Sequence, residues 1–156
     1  DVPFCVMNGL ARAQGIGEQL TLLDHLPRRN LVLVNPGISV LTSEIFQVYD
    51  TMNLSLNLSL YENRAEEKKQ AITDFLLTPT WAKVDRLLFN ALEKPAVASY
   101  PVIGQVMQDL KDIGLVPFMS GSGPSVIAFW ETPEEKMAIE KQIVAKWPVV
   151  VFAHTL

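Results

Sequence analysis

Met119-Ser120-Gly121-Ser122-Gly123-Pro124-Ser125-Val126 joins two apolar runs, Leu115 to Met119 and Ser125 to Trp130. Gly121 and Gly123 permit positive φ and leave backbone N–H groups uncovered, so the stretch can curl into an anion-holding nest. The same Gly-Ser-Gly pattern is also a hairpin turn between two strands. Either way the flanking runs pair antiparallel, and that pairing sets the architecture.

Upstream, Pro101 suits a first helical position, and Ile103, Val106, Met107, Leu110 and Ile113 form one apolar stripe. Gly114 then falls at the C′ position, so the helix feeds directly into the Leu115 strand. Downstream, Thr132-Pro133-Glu134-Glu135 has the spacing of a capping box with proline at N1, followed by the line Ile139, Ile143 and Trp147. Val149 to Phe152 reads as a closing strand. Much earlier, Leu31 to Asn35 is a continuous apolar run closed by Pro36-Gly37, as expected of a buried strand. Strands 31–35, 115–119, 125–130 and 149–153 with helices on one face predict an α+β fold, ferredoxin-like in outline, with a mainly antiparallel sheet.

The intervening chain is helical. Thr42 is placed as an N-cap before the stripe Ile45, Val48, Tyr49 and Met52, with Phe46 about 100° off it and available to stack on a ligand or pack on a loop. Ile72, Phe75 and Leu76 mark a helix over 68–77, stopped at Thr78-Pro79. Val84, Leu87, Leu88, Ala91 and Leu92 mark another, expected to end at Pro95. Residues 53–60 alternate with period two and read as a ribbon or a loop, with an incidental Asn57-Leu58-Ser59 sequon. At the start, Asp1 precedes an extended Val2 to Met7. Asn8-Gly9 and Gly15-Ile16-Gly17 mark turns, and Leu10 to Gln14 is placed as a strand between them.

Composition narrows the function classes. With 156 residues, 49% of them apolar, the chain can bury a real core. A net charge of −4 provides no basic footprint, so neither nucleic acid nor an anionic membrane is an expected partner. The single Cys5 excludes an internal disulfide. His25 and His154 have no ligand at metal-site spacing, so no metal site is assigned, and neither a Walker loop nor a Rossmann fingerprint occurs.

Asp1-Val2-Pro3-Phe4, Gly15-Ile16-Gly17-Glu18, Leu31 to Gly37 with Ser39-Val40-Leu41-Thr42, Asn90-Ala91-Leu92-Glu93, and Met119 to Val126 follow one another in a familiar order. In that order the chain resembles the GHMP kinase superfamily, and within it the branch acting on a cytidine-diphosphate-linked methylerythritol. The resemblance runs from Asp1 to about Phe152. Two positions depart from the pattern: Ala91 where an acidic residue is common, and Leu41 where serine is common.

The resemblance implies a C-terminal half, with residues 1–28 the β-rich tail of an upstream kinase domain and 29–156 a GHMP kinase C-terminal domain. The implied reaction passes the γ-phosphoryl of ATP, with Mg2+, to the 2-hydroxyl of the substrate in non-mevalonate isoprenoid precursor synthesis. Asp1 matches the catalytic aspartate, Thr42 and Phe46 the region holding the cytidine end, and Gly121, Ser122 and Gly123 the loop near the transferred phosphate. The ATP loop and a catalytic lysine are expected in a missing N-terminal half, so this chain alone is expected to lack activity. The implied partner is a small-molecule substrate, and the implied location the cytoplasm of a bacterium, or a plastid if the source is a plant. Two other readings share these residues: a GHMP kinase for another small molecule, and a non-catalytic ferredoxin-like ligand-binding module.

Overall fold

The structure, a computed structural model, describes residues 6–7, 11–23, 26–53, 70–78 and 80–155. Asp1, Cys5, the Asn8-Gly9 turn, His25, Pro79 and the 54–60 ribbon with its sequon lie outside the described residues. The chain divides into two compact units, Asp1–Arg28 with Glu62–Leu88 and Leu156, and Arg29–Tyr61 with Phe89–Thr155.

In the first unit, β1 (Ala11–Gln14) and β2 (Gln19–Leu22) form an antiparallel hairpin with Gln14 opposite Gln19. Gly15 and Gly17 take φ of 67° and 100°, and the Glu18 carboxylate accepts the Ile16 N–H at 2.7 Å. Helix α1 (Thr42–Asn53) belongs to the second unit; α2 (70–77) and α3 (Trp81–Leu87) belong to the first. Lys83 Nζ donates to the carbonyls of Asp74 and Thr78 at 2.7 and 2.9 Å, a cation meeting the negative end of α2. Trp81 Nε1 donates to the Pro27 carbonyl at 2.7 Å.

The second unit contains β3 (Asn30–Asn35), α1 (Thr42–Asn53), α4 (Glu93–Ser99), α5 (Pro101–Asp112), β4 (Pro117–Met119), β5 (Val126–Trp130), α6 (Pro133–Ala138) and β6 (Val149–His154). A π turn at Ile139–Ile143 extends α6. The sheet order is β4-β5-β3-β6 and every pairing is antiparallel, with Val34 opposite Val126 and Val150, and Met119 opposite Val126. The α+β class and the antiparallel sheet are those expected from the sequence, and the strand order is ferredoxin-like.

Strand alternation explains the packing. Val32, Val34, Val126 and Ala128 point to the same face and are buried with Ile45, Ile103, Val106, Leu110, Ile139 and Ile143. That face carries the helices. Helix α5 ends in a Schellman pair, Gly114 N–H to Lys111 O and Leu115 N–H to Leu110 O, with Gly114 at φ 87°. Thr132 and Glu135 close the expected capping box, and the Glu135 carboxyl is held below its ordinary value, first by the Glu131 N–H and then by that of Thr132.

Three expectations are corrected. Val6 and Met7, expected to be extended, are helical. The stripe from Val84 to Leu92 is two helices, not one: α3 ends with Leu88 extended at ψ 101°, and Pro95 lies buried in the first turn of α4. Proline is tolerated there because its missing N–H has no intrahelical acceptor. Thr42 is the first residue of α1 rather than its cap, and its hydroxyl is turned elsewhere.

Candidate functional site

The glycine loop runs from the end of β4 to the start of β5. Ser120 N–H donates to Ser125 O at 2.9 Å, continuing the strand pairing, and Gly123 N–H donates to Ser120 O at 3.0 Å, closing a turn. Gly121 and Gly123 hold φ of 57° and 89°, in the region that favours glycine. Of the two readings of this stretch, the hairpin turn is formed, and it consumes the Gly123 N–H. Among the described residues the N–H groups of Gly121 and Ser122 have no acceptor.

Three side chains from distant positions meet this loop. Asn90, in the break between α3 and α4, donates from Nδ2 to Met119 O at 2.8 Å and to Gly121 O at 2.7 Å. Thr42 and Ser122 share a hydrogen bond between hydroxyls at 2.8 Å. Asn35 Nδ2 donates to Ser125 Oγ at 3.1 Å, while Asn35 Oδ1 accepts the Gly37 N–H at 2.8 Å.

The sequence-expected residues therefore sort clearly. Thr42 and Ser122, eighty positions apart, are in direct contact. Phe46 is 49% exposed, one turn beyond Thr42 on the same side of α1, while Ile45 is fully buried. Asp1 lies outside the described residues. Sequence reasoning gave no role to Asn90 or to the pair Glu44 and Tyr100. The Tyr100 hydroxyl donates to Glu44 Oε2 at 2.7 Å, tying the first turn of α1 to the junction of α4 and α5, and this bond raises the phenol above its ordinary pKa. No local signal marks Asn90, because the pattern around it reads as one continuous helix and its partners lie 29 and 31 residues away.

Chemically, the loop presents two uncommitted backbone donors, beside two hydroxyls and near an exposed aromatic ring. Uncommitted N–H groups on a positive-φ loop suit a phosphate oxygen, and the ring suits a planar base. Among the described residues no group of three or more Asp, Glu, His or Cys is gathered as a metal site. No helix among them is long and apolar enough to cross a membrane.

Comparison with known proteins gives concordant matches. The family model described as GHMP kinases C terminal matches residues 59–149. The 4-diphosphocytidyl-2-C-methyl-D-erythritol kinase of Geobacter sulfurreducens is 37% identical over 140 residues, covering 89% of this chain and 44% of that protein. Its counterpart in Geobacter metallireducens is 37% identical over 153 residues, covering 96% and 50%. A solved 4-(cytidine 5'-diphospho)-2C-methyl-D-erythritol kinase superposes with a TM-score of 0.66 at 27% identity, over 99% of this chain and 52% of that one. A homoserine kinase from Cytophaga hutchinsonii, TM-score 0.69 at 18% identity over 99% of this chain and 50% of its own, shares the fold. The chain spans about half the length of the curated relatives it matches.

Proposed function

The chain belongs to the GHMP kinase family, and we propose that it is the C-terminal half of an ATP-dependent kinase that phosphorylates the 2-hydroxyl of 4-diphosphocytidyl-2-C-methyl-D-erythritol. The observation that carries this reading is the 2.8 Å contact between Thr42 and Ser122. It joins the helix start assigned to the cytidine end with the loop assigned to phosphate. On this reading residues 1–28 close an upstream kinase domain, 29–156 form the C-terminal domain, and the protein works in the cytoplasm.

ATP, with Mg2+, would supply the phosphoryl group. The chain's own residues would do the rest of the work assigned to this half. The Gly121 and Ser122 N–H groups would donate to a phosphate oxygen and stabilise its charge without a full positive side chain, so they act by fixed orientation. Gly123 sets the turn that aims them. Thr42 would hold the substrate beside Ser122, and Phe46 would stack on the cytosine ring. Asp1 would orient the acceptor hydroxyl and take its proton.

The test is phosphoryl transfer from ATP to the cytidylylated alcohol by the intact protein, wild type against Asp1→Asn. The expected result is turnover in the wild type and a loss of about 10²- to 10⁴-fold in the variant, with nucleotide binding retained. Equal rates would remove Asp1 from the chemistry. A wild type inert toward this alcohol but active on another small alcohol would move the chain to a different branch of the family.

A further inference from the structure

Strand β4 is an edge strand, and its last residue turns both backbone groups away from β5. Met119 O accepts from Asn90 Nδ2 at 2.8 Å, and Met119 N–H lies 3.4 Å from Glu93 Oε2. A side chain from the α3 to α4 break and one from the first residue of α4 thus stand where a neighbouring strand would be. Asn90 is fully committed: Oδ1 accepts the Leu92 N–H at 2.9 Å, and the second Nδ2 hydrogen goes to Gly121 O at 2.7 Å. The network fixes which way the amide faces, because a flip would set its oxygen against two carbonyls.

The bond to Gly121 O has a consequence one atom further along the chain. In a trans peptide the carbonyl of one residue and the N–H of the next lie in one plane and point in opposite directions. Holding Gly121 O toward Asn90 therefore holds the Ser122 N–H away from it. The same rule acts on the preceding peptide, where Ser120 O is held by Gly123 N–H and the Gly121 N–H is aimed accordingly. Glycine makes this loop free to rotate its peptides, so without a pin the Gly121–Ser122 unit could invert and present a carbonyl where a donor is needed.

We infer that Asn90 is a positioning residue that locks the Gly121–Ser122 peptide so that the Ser122 N–H faces the transferred phosphate. The inference rests on the kinase reading above for what the N–H meets, and on geometry alone for the lock. Asn90 acts through the loop and touches no substrate.

The experiment uses the intact protein and Asn90→Asp, which keeps the size and the acceptor for Leu92 N–H while removing both donors. Expected are a fall in kcat of about 10- to 100-fold with KM for the alcohol within about threefold, since a misaimed donor acts on the developing charge. The Ser122 amide resonance should move while those of β5 stay in place. A folded variant with kcat within about threefold of wild type, or one with reduced kcat and an unmoved Ser122 amide, overturns the inference. If Asn90→Asp does not fold, Asn90→Ser, with one hydroxyl donor in a smaller volume, is read by the same two measurements. A wild type inert toward the alcohol overturns the kinase reading instead, and the Ser122 resonance still decides the lock.

Discussion

Gly121→Ala and Gly123→Ala are two substitutions of one kind in one loop, and the structure separates them. Both positions have positive φ, 57° and 89°, so each alanine adopts a backbone that costs an L-residue about 1–2 kcal/mol. At Gly121 a new Cβ meets nothing within 4 Å. At Gly123 it sits 3.0 Å from Met119 Sδ and 3.3 Å from Ile103 Cδ1, both on buried residues. Overpacking of that kind adds about 1–3 kcal/mol, tempered by the flexibility of methionine. Gly123→Ala should therefore be destabilised by about 2–5 kcal/mol in all, and Gly121→Ala by about 1–2. Urea unfolding followed by fluorescence is the assay, because Trp130 and Trp147 both pack against the core cluster that Met119 and Ile103 belong to. With a urea slope of about 2 kcal/mol/M, the two midpoints should differ by about 0.5–1.5 M. Midpoints that coincide would refute the claim that the loop is seated on the core through Gly123.

Two further outcomes follow from specific contacts. Thr42→Val and Ser122→Ala each remove one end of a hydrogen bond, so each should cost about 0.5–1 kcal/mol in unfolding experiments, the double variant costing less than their sum. Additive effects would mean the two hydroxyls do not act together. The Glu135 carboxyl has its pKa lowered from 4.5 by backbone N–H bonds, so its contribution is present above the unfolded value and lost as pH falls through the folded one. The thermal stability gap between wild type and Glu135→Ala should be level from about pH 7 to about pH 5 and should narrow in more acidic buffer. A gap that widens on acidification would show that the capping box holds no charge.

How much of this could be read beforehand depends on range along the chain. The capping box at Thr132, the Gly114 helix stop and the β4 to β5 hairpin are set by residues within a few positions of one another, and the sequence carries them openly, whereas the placing of β3 between β5 and β6 is not local. Pro95 misled because a proline reads as a stop, whereas its position in the first turn of α4 depends on the chain having already broken at Leu88. That break is where Asn90 spends its side chain on carbonyls 29 and 31 residues away. Nothing in local pattern registers such a bond. The same holds for Thr42, a residue type that favours the cap position and yet turns its hydroxyl to Ser122.

The site in the second unit is thus a permissive loop made specific by its neighbours. Glycine supplies the shape but no preference for it, since a residue without a side chain crosses between peptide orientations at little cost. Orientation has to come from outside, and each contact supplies one part of it: Gly123 N–H fixes the first peptide, Asn90 the second, and Thr42 the serine hydroxyl. Thr42 and Phe46 are separated by four residues, one helical turn, and so lie on one side of α1 about 6 Å apart along its axis. A ligand with an aromatic base at one end and phosphate at the other, laid along that side, would meet the ring first and the loop second. A lone phosphate would engage only the loop. The cytidylylated alcohol proposed above is a ligand of the first kind, and on that reading the ring of Phe46 would select it over a smaller alcohol lacking a base.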